Sequence, residues 1–315
     1  MNIKLGHYDI ALGHSHLKGA LEGAFTVLSL FSLMLIGAYS KYAQQEYAAA
    51  QVAAVAQARQ ISVAPGPLEA HEAIVYDVKE GRVLFEKDAD ESWPLASLTK
   101  LMSTEAVLSE EPEDAQVTIT GDDLKPDGDS GLEVGDIWTL KSLITFGLIV
   151  SSNDAMEAAA SSAGTSTIIG KMNSIAQSLG LSHTSFSNPT GLDIDVDAQE
   201  AGAYGSARDV AVLASDFLSR YPEFFAATVV PKTDFEVSGR TMEAVPTSAP
   251  ILDIPGLLGA KTGYTDLAGG NLVAAFDLEI GHPVIAVVLG SSYDGRFKDI
   301  RTLIEATRAA ESAQQ

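Results

Sequence analysis

Cysteine is absent from the 315 residues. Its absence excludes disulfides, a cysteine nucleophile and thiolate metal sites, and leaves the compartment open. Positive charge is scarce: 20 Lys and Arg stand against 42 Asp and Glu, a formal net charge of −22. A phosphate backbone would be repelled, so nucleic acid is not an expected partner. The six histidines (His7, His14, His16, His71, His183 and His282) form no His-Glu-x-x-His or comparable cluster. A zinc hydrolase is therefore poorly supported, and no metal is expected. Charged residues make up 20% and hydrophobic residues 46%, a balance that builds a sizeable core rather than a disordered chain.

One long run carries no charge, Gly23 to Tyr39. It sits at the short end of the roughly 17–25 residues that span a bilayer. It exceeds the roughly 7–15 of a signal-peptide core. Two outcomes stay open: an uncleaved anchor, or a signal cut near Ala38-Tyr39-Ser40. Lys4 and Lys18 favour an N-terminus inside, and Lys41 weakens that asymmetry. Either outcome puts the rest of the chain outside the cytoplasmic membrane. The expected organisation is a cytoplasmic tail at 1–22, an anchor or signal segment at 23–40 and an Ala/Gln-rich stalk at 41–66. The stalk is broken by Pro65-Gly66-Pro67. A globular domain at 67–310 and a tail at 311–315 follow.

Within the domain, His71 to Lys87 reads as a hairpin. Pro94 disfavours helix in the residue before it. After it Leu98, Leu101, Met102 and Val107 recur at helical spacing, which puts Ser97 in the first turn of a helix running to about Ser109. Leu140 to Val150, Ala155 to Ala163, Thr167 to Leu179 and Ser206 to Arg220 read as further helices. The last opens on Ser206 as cap, with Asp209 in the acidic role of a capping box. Thr233 to Val237 and the Lys261 region are strand candidates. Asn271 to Leu278 and Val284 to Leu289 form a hairpin around Gly281-His282-Pro283. Arg296 to Ala309 closes the chain as an amphipathic helix. The expected class is α+β: an antiparallel sheet whose two end helices pack on one face, with an all-helical insert between.

Three short motifs carry chemistry. Ser97-x-x-Lys100 sets an amine one helical turn from a hydroxyl. A serine is a poor nucleophile until a base takes its proton, and a lysine is that base only when burial or a second cation lowers its pKa. Alone the motif is weak, since Ser15-His16-Leu17-Lys18 repeats it in a polar tail. Ser151-x-Asn153 falls at a break between two helices. Lys261-Thr262-Gly263 enters a strand, and Lys232-Thr233-Asp234 is a near miss. Ser97 Oγ would attack a peptide carbonyl and Lys100 would take its proton. Ser151 would relay a proton to the leaving amine, bridging Lys100 and Lys261. Asn153 would hold the substrate's backbone amide. Lys261 would be the second cation that keeps Lys100 neutral, and Thr262 would offer a hydroxyl to a carboxylate. Gly263 would let substrate lie against the strand. The backbone N–H groups of Ser97 and Tyr264 are oxyanion-hole candidates.

In this order the three motifs resemble those of penicillin-recognising serine acyl enzymes. The stretches Ala96 to Met102, Ser151 to Ala155, Asn188 to Asp193, Ser206 to Asp209 and Lys261 to Gly269 are similar to the D-alanyl-D-alanine carboxypeptidases, the low-molecular-weight penicillin-binding proteins of the S11 peptidase type. The resemblance covers roughly Leu68 to Ala310 and implies a β-lactamase/DD-peptidase-like transpeptidase fold. It implies removal of the terminal D-alanine from peptidoglycan stem pentapeptides through an acyl-Ser97 intermediate, without a cofactor, and inhibition by β-lactams. It further implies a basic residue for the substrate carboxylate, at Arg296; a surface salt bridge is the alternative there. The middle motif departs from the common Ser-Gly-Asn by having Ser152. Many relatives carry a second β-rich domain and a C-terminal anchor, and an N-terminal span would do that job from the other end.

Other activities remain to be weighed. A class A β-lactamase would need a Glu-x-x-Leu-Asn between Asn153 and Lys261, and the sequence has none. A DD-endopeptidase would use the same residues on cross-links. A silent wall-binding protein would be expected to have lost one of them. Asp193, Asp195 and Asp197 hint at a calcium loop, but Ala198 and Tyr204 stand where an EF-hand needs Gly and Glu.

Overall fold

A computed structural model of the chain describes residues 2–5, 8–11, 41, 46 and 63–313. The chain divides into two units, Met1–Gln60 and Ile61–Gln315. In the first, β1 (Asn2–Leu5) and β2 (Tyr8–Ala11) pair antiparallel. The expected anchor or signal segment and most of the stalk lie outside the described residues. Among the described residues no helix is long and apolar enough to cross a membrane.

The second unit opens with β3 (Glu72–Asp77) and β4 (Arg82–Lys87), then β5 (Trp93–Pro94) and α1 (Thr99–Glu110). β6 (Gln116–Thr118) and β7 (Ile137–Thr139) bracket the acidic loop. Helices α2 (Leu140–Ile149), α3 (Asn153–Ser162) and α4 (Thr165–Ser178) follow. After β8 (Ser185–Phe186) and β9 (Ala203–Gly205) come α5 (Ala207–Arg220) and α6 (Pro222–Ala227). A hairpin the sequence did not signal in full pairs β10 (Thr233–Val237) with β11 (Arg240–Ala244). β12 (Leu257–Thr265), β13 (Gly269–Asp277), β14 (Pro283–Ser291) and α7 (Gly295–Ser312) complete the unit.

Five strands make one antiparallel sheet in the order β12-β13-β14-β3-β4. Its strands are apolar on both faces. Val75, Ala274, Phe276, Ala286 and Val288 meet Ile300, Leu303 and Ile304 of α7. The intervening Ile74, Val273, Ala275, Ile285 and Val287 belong to a second, larger core shared with the helices. The expectation that both end helices share one face is corrected here. α7 covers one face, α5 approaches the opposite face, and α1 packs among α2 to α5. Strands buried on both sides need cover on both sides, and Val284 to Leu289 reads as a continuous apolar run for that reason. The helical region also carries the small pairings β6-β7, β10-β11 and β5-β9-β8.

Ser206 caps α5 as expected, accepting from Asp209 N at 3.1 Å. Asp209 does not complete a capping box. Its carboxylate accepts from His183 N and Thr184 Oγ1, both at 2.8 Å, and so ties the helix start to the preceding loop.

Two buried carboxyls join helices to their surroundings. Glu72 Oε2 accepts from Ala207 N at 2.8 Å, and Glu105 Oε2 from Arg220 Nη1 at 3.3 Å. The other oxygen of each is buried with no partner among the described residues. Burial pushes both carboxyls up from 4.5 to about 8. A raised folded-state pKa means the folded chain holds protons that the unfolded chain releases. Stability to urea should therefore fall as pH rises from about 4.5 through about 8. Glu72→Gln and Glu105→Gln should each flatten that decline, and an unchanged pH profile in both would show that neither carboxyl is raised.

Candidate active site

The nucleophile candidate sits on a turn, not in the first turn of an α-helix as its sequence suggests. Ala96–Leu98 is a 3-10 turn, and α1 begins at Thr99. Leu95 N donates to Ala203 O at 3.0 Å, which fixes the entry to the turn. Ala96 has φ +48, a strained value for a residue with a Cβ. The turn fits against Asn188-Pro189-Thr190-Gly191, where Asn188 Oδ1 accepts from Gly191 N at 2.7 Å. Gly191 has φ +80, and a Cβ there would lie 1.9 Å from Ala96 O. Glycine is therefore required on both backbone and steric grounds.

Lys100 is fully buried and faces three oxygens. Its Nζ is 2.7 Å from Ser97 Oγ, 2.7 Å from Asn153 Oδ1 and 2.9 Å from Thr190 O. Burial pushes the amine down from 10.5 to about 7. A neutral amine has two N–H donors and one lone pair. The Asn153 and Thr190 oxygens can only accept, so they take the two donors. Ser97 is the partner that can donate in return, and the lone pair falls to it.

Lys261 is buried as well. Its Nζ donates to Ser151 Oγ and to Thr262 O, both at 2.8 Å. Burial first, then the charges of Lys100 and Arg296, hold it well below the ordinary lysine value. The sequence offered two causes for lowering Lys100, burial and Lys261 as a second cation. Burial lowers Lys100, and Lys261, lowered by burial and by the charges of Lys100 and Arg296, is the second amine that interacts with it.

Ser151 occupies the break between α2 and α3 with φ +63, a left-handed value for a β-carbon residue. The expected bridge is half formed: Ser151 is bonded to Lys261, while the Lys100 hydrogen bonds run to Ser97, Asn153 and Thr190. Asn153 turns its oxygen inward to Lys100 and donates Nδ2 to Asp127 O at 2.6 Å. Ser152, the departure in the middle motif, caps α3 through Ala155 N at 3.0 Å. It also meets Ser130 Oγ at 2.6 Å, which ties the acidic loop to the motif.

Thr262 Oγ1 donates to Thr247 Oγ1 at 2.7 Å. Thr247, in an irregular loop, was not singled out from the sequence. Thr190 falls in the Asn188 to Asp193 stretch that carries the resemblance, but no role was read for it, because it acts through its carbonyl. Gly263 has a role beyond the one expected. A Cβ there would meet Leu95 O at 3.0 Å, Ala96 Cβ at 3.1 Å and Ser97 N at 3.2 Å. The missing side chain lets β12 abut the nucleophile turn, and Tyr264 follows it on the same strand. Arg296 is buried, and its Nη1 donates to Gly263 O at 2.7 Å. Among the described residues it makes no salt bridge of the kind weighed for it. Ser97, Ser151, Asn153, Thr262, Tyr264 and Arg296 line one cleft of about 370 Å³.

Asp193 accepts from Thr265 Oγ1 at 2.9 Å and from Leu267 N at 3.1 Å, holding the end of β12. Among the described residues no group of three or more metal-ligating side chains comes together.

The profile of the D-alanyl-D-alanine carboxypeptidase family (peptidase S11) matches residues 58–293. The chain belongs to this family. It is 33% identical over 234 residues to the D-alanyl-D-alanine carboxypeptidase DacF of Bacillus subtilis, covering 71% of this chain and 58% of that protein. It is 29% identical over 259 residues to DacA of Escherichia coli, covering 75% and 60%. The chain thus spans about 58–60% of the length of these curated relatives. Its fold matches the crystal structure of a D-alanyl-D-alanine carboxypeptidase from Mycobacterium tuberculosis with a TM-score of 0.72 and 26% identity, over 79% of this chain and 94% of that one. It also matches Penicillin-Binding Protein D2 of Listeria monocytogenes in its cefotaxime-bound form, with a TM-score of 0.67 and 30% identity over 78% and 99%. The family match stops at residue 293, so Arg296 and α7 lie beyond it.

Gly263→Ala must push β12 off backbone atoms of the nucleophile turn. We expect a loss of about 1–3 kcal/mol in unfolding free energy, read by chemical denaturation. An unchanged midpoint and slope would show that the strand has room to spare.

Proposed function

We propose that the chain is a serine-type D-Ala-D-Ala carboxypeptidase that trims the terminal D-alanine from peptidoglycan stem pentapeptides. The observation that carries this is the buried Lys100 amine, 2.7 Å from Ser97 Oγ and with its other two contacts on pure acceptors. Neutral Lys100 takes the Ser97 proton as Oγ attacks the carbonyl carbon of the penultimate D-alanine. The N–H groups of Ser97 and Tyr264 receive the developing oxyanion. The C–N bond breaks as Ser151, bonded to Lys261, hands its hydroxyl proton to the departing amine of D-alanine and is reprotonated by the Lys100 ammonium, which returns Lys100 to the neutral amine. Water then hydrolyses the acyl-Ser97 ester. Asn153 and Thr262 flank the stem peptide, and Arg296 faces the carboxylate of the leaving residue.

A relative described in cefotaxime-bound and ampicillin-bound forms supports extending the proposal to β-lactams as inhibitors acylating Ser97. The uncharged run Gly23 to Tyr39 supports a further proposal. It would anchor the catalytic unit at the outer side of the bacterial cytoplasmic membrane, or direct its export.

Incubating the full chain with a muropeptide pentapeptide and with a cross-linked dimer, then weighing the products, tests the activity. Loss of one alanine from the pentapeptide is expected. Cleavage of the dimer alone would make the enzyme a DD-endopeptidase instead. Ser97→Ala should abolish covalent labelling by fluorescent penicillin, and retained labelling would remove Ser97 from its role. For wild type, the labelling rate should rise with pH through about 7 as Lys100 loses its proton. A rate flat from pH 5 to 9, a range taken around that value, would mean another group is the base.

A further inference from the structure

Tyr264 and Tyr293 remain 48% and 57% exposed, although both line the cleft that holds Ser97 and Arg296. Large aromatic side chains left open to water at a site need a reason. Their rings meet edge to face, with centroids 5.1 Å apart and planes at 81°. The Tyr293 ring lies over the Arg296 guanidinium at 4.4 Å, and the Phe297 ring is 4.8 Å from the same group. Arg296 is 4% exposed and gives Nη1 to Gly263 O, and its Nε is buried with no partner among the described residues. A buried guanidinium with an unmatched donor is prepared for an anion.

We infer that Tyr293, braced by Tyr264, is a positioning residue that gives the cleft its preference for a leaving group with a free α-carboxylate; this rests on the DD-peptidase reading of the cleft. The stacked ring fixes the plane of the guanidinium and keeps water from one of its faces. A carboxylate arriving at Arg296 then meets a cation already oriented and partly dry, where attraction is stronger than in open solvent. The orienting contact is the ring face over the guanidinium; the hydroxyl, which also hydrogen-bonds Arg296, is the part that Tyr293→Phe removes.

Two matched pairs of ligands test this on the full-length protein. One pair is a D-Ala-D-Ala-terminated peptide and its C-terminal amide. The other is benzylpenicillin and its methyl ester, read as rates of Ser97 acylation. In each pair the two members differ only in the carboxylate. Tyr293→Ala should shrink the preference for the carboxylate member roughly tenfold in both pairs. For the peptide, KM should rise while kcat stays within about threefold. Tyr293→Phe, which keeps the ring, should keep the preference. An unchanged preference in Tyr293→Ala, or an equal slowing of both members of a pair, would overturn the inference. If wild type hydrolyses neither peptide, the carboxypeptidase reading fails, yet the penicillin pair still decides the role of Tyr293. If no ligand reacts at all, both fail together.

Discussion

The site depends on one enclosed amine. Lys100 sits on α1 with no access to water, and its hydrogen bonds draw together three segments far apart in sequence: the Ser97 turn, the start of α3 at Asn153, and the Asn188–Gly191 turn at Thr190. Enclosure does two things at once. It removes the proton near neutral pH, and it makes each of the three contacts costly to leave unmade. The same group is therefore both the proposed base and the structural pin of the cleft.

Strain and close approach surround that pin. Ala96 and Ser151 both hold left-handed backbone values, one beside Ser97 and one at the hydroxyl partner of Lys261. Such conformations persist where neighbours over-determine them. Here the neighbours are a glycine at position 191 that admits the Ala96 carbonyl and a glycine at position 263 that admits the whole turn. The two-faced sheet supplies the rigid edge: β12 is its terminal strand, and its Thr262 to Tyr264 stretch forms one wall of the site.

Much of this was legible in the sequence, and the parts that were not share a cause. The motif order, the helix break at Ser151, the β13-β14 hairpin and the Ser206 cap all follow from local spacing and turn chemistry. The covering of both sheet faces was missed although Val284 to Leu289 shows no alternation, because a short apolar run fits more than one element type. Asp209 has the spacing of a capping box, yet tertiary contacts to His183 and Thr184 claim its carboxylate. Thr190 acts through a backbone carbonyl and Thr247 through a loop hydroxyl. Neither kind of contact leaves a trace in residue type or period. Gly263 was read for its effect on substrate, while its tightest constraint is the protein's own turn. How deeply Lys100 is buried was likewise not legible, since burial depth cannot be read from a three-residue spacing.

The most direct measurement is a titration of the Lys100 amine itself. Lysine side chains labelled with nitrogen-15 can be followed by NMR across pH, with Lys100→Arg identifying the signal. A midpoint near 7, against an ordinary value of 10.5, is what an enclosed base requires. A signal that stays an ammonium up to about 10 would contradict the account, because Ser97 would then have no neutral amine beside it at physiological pH.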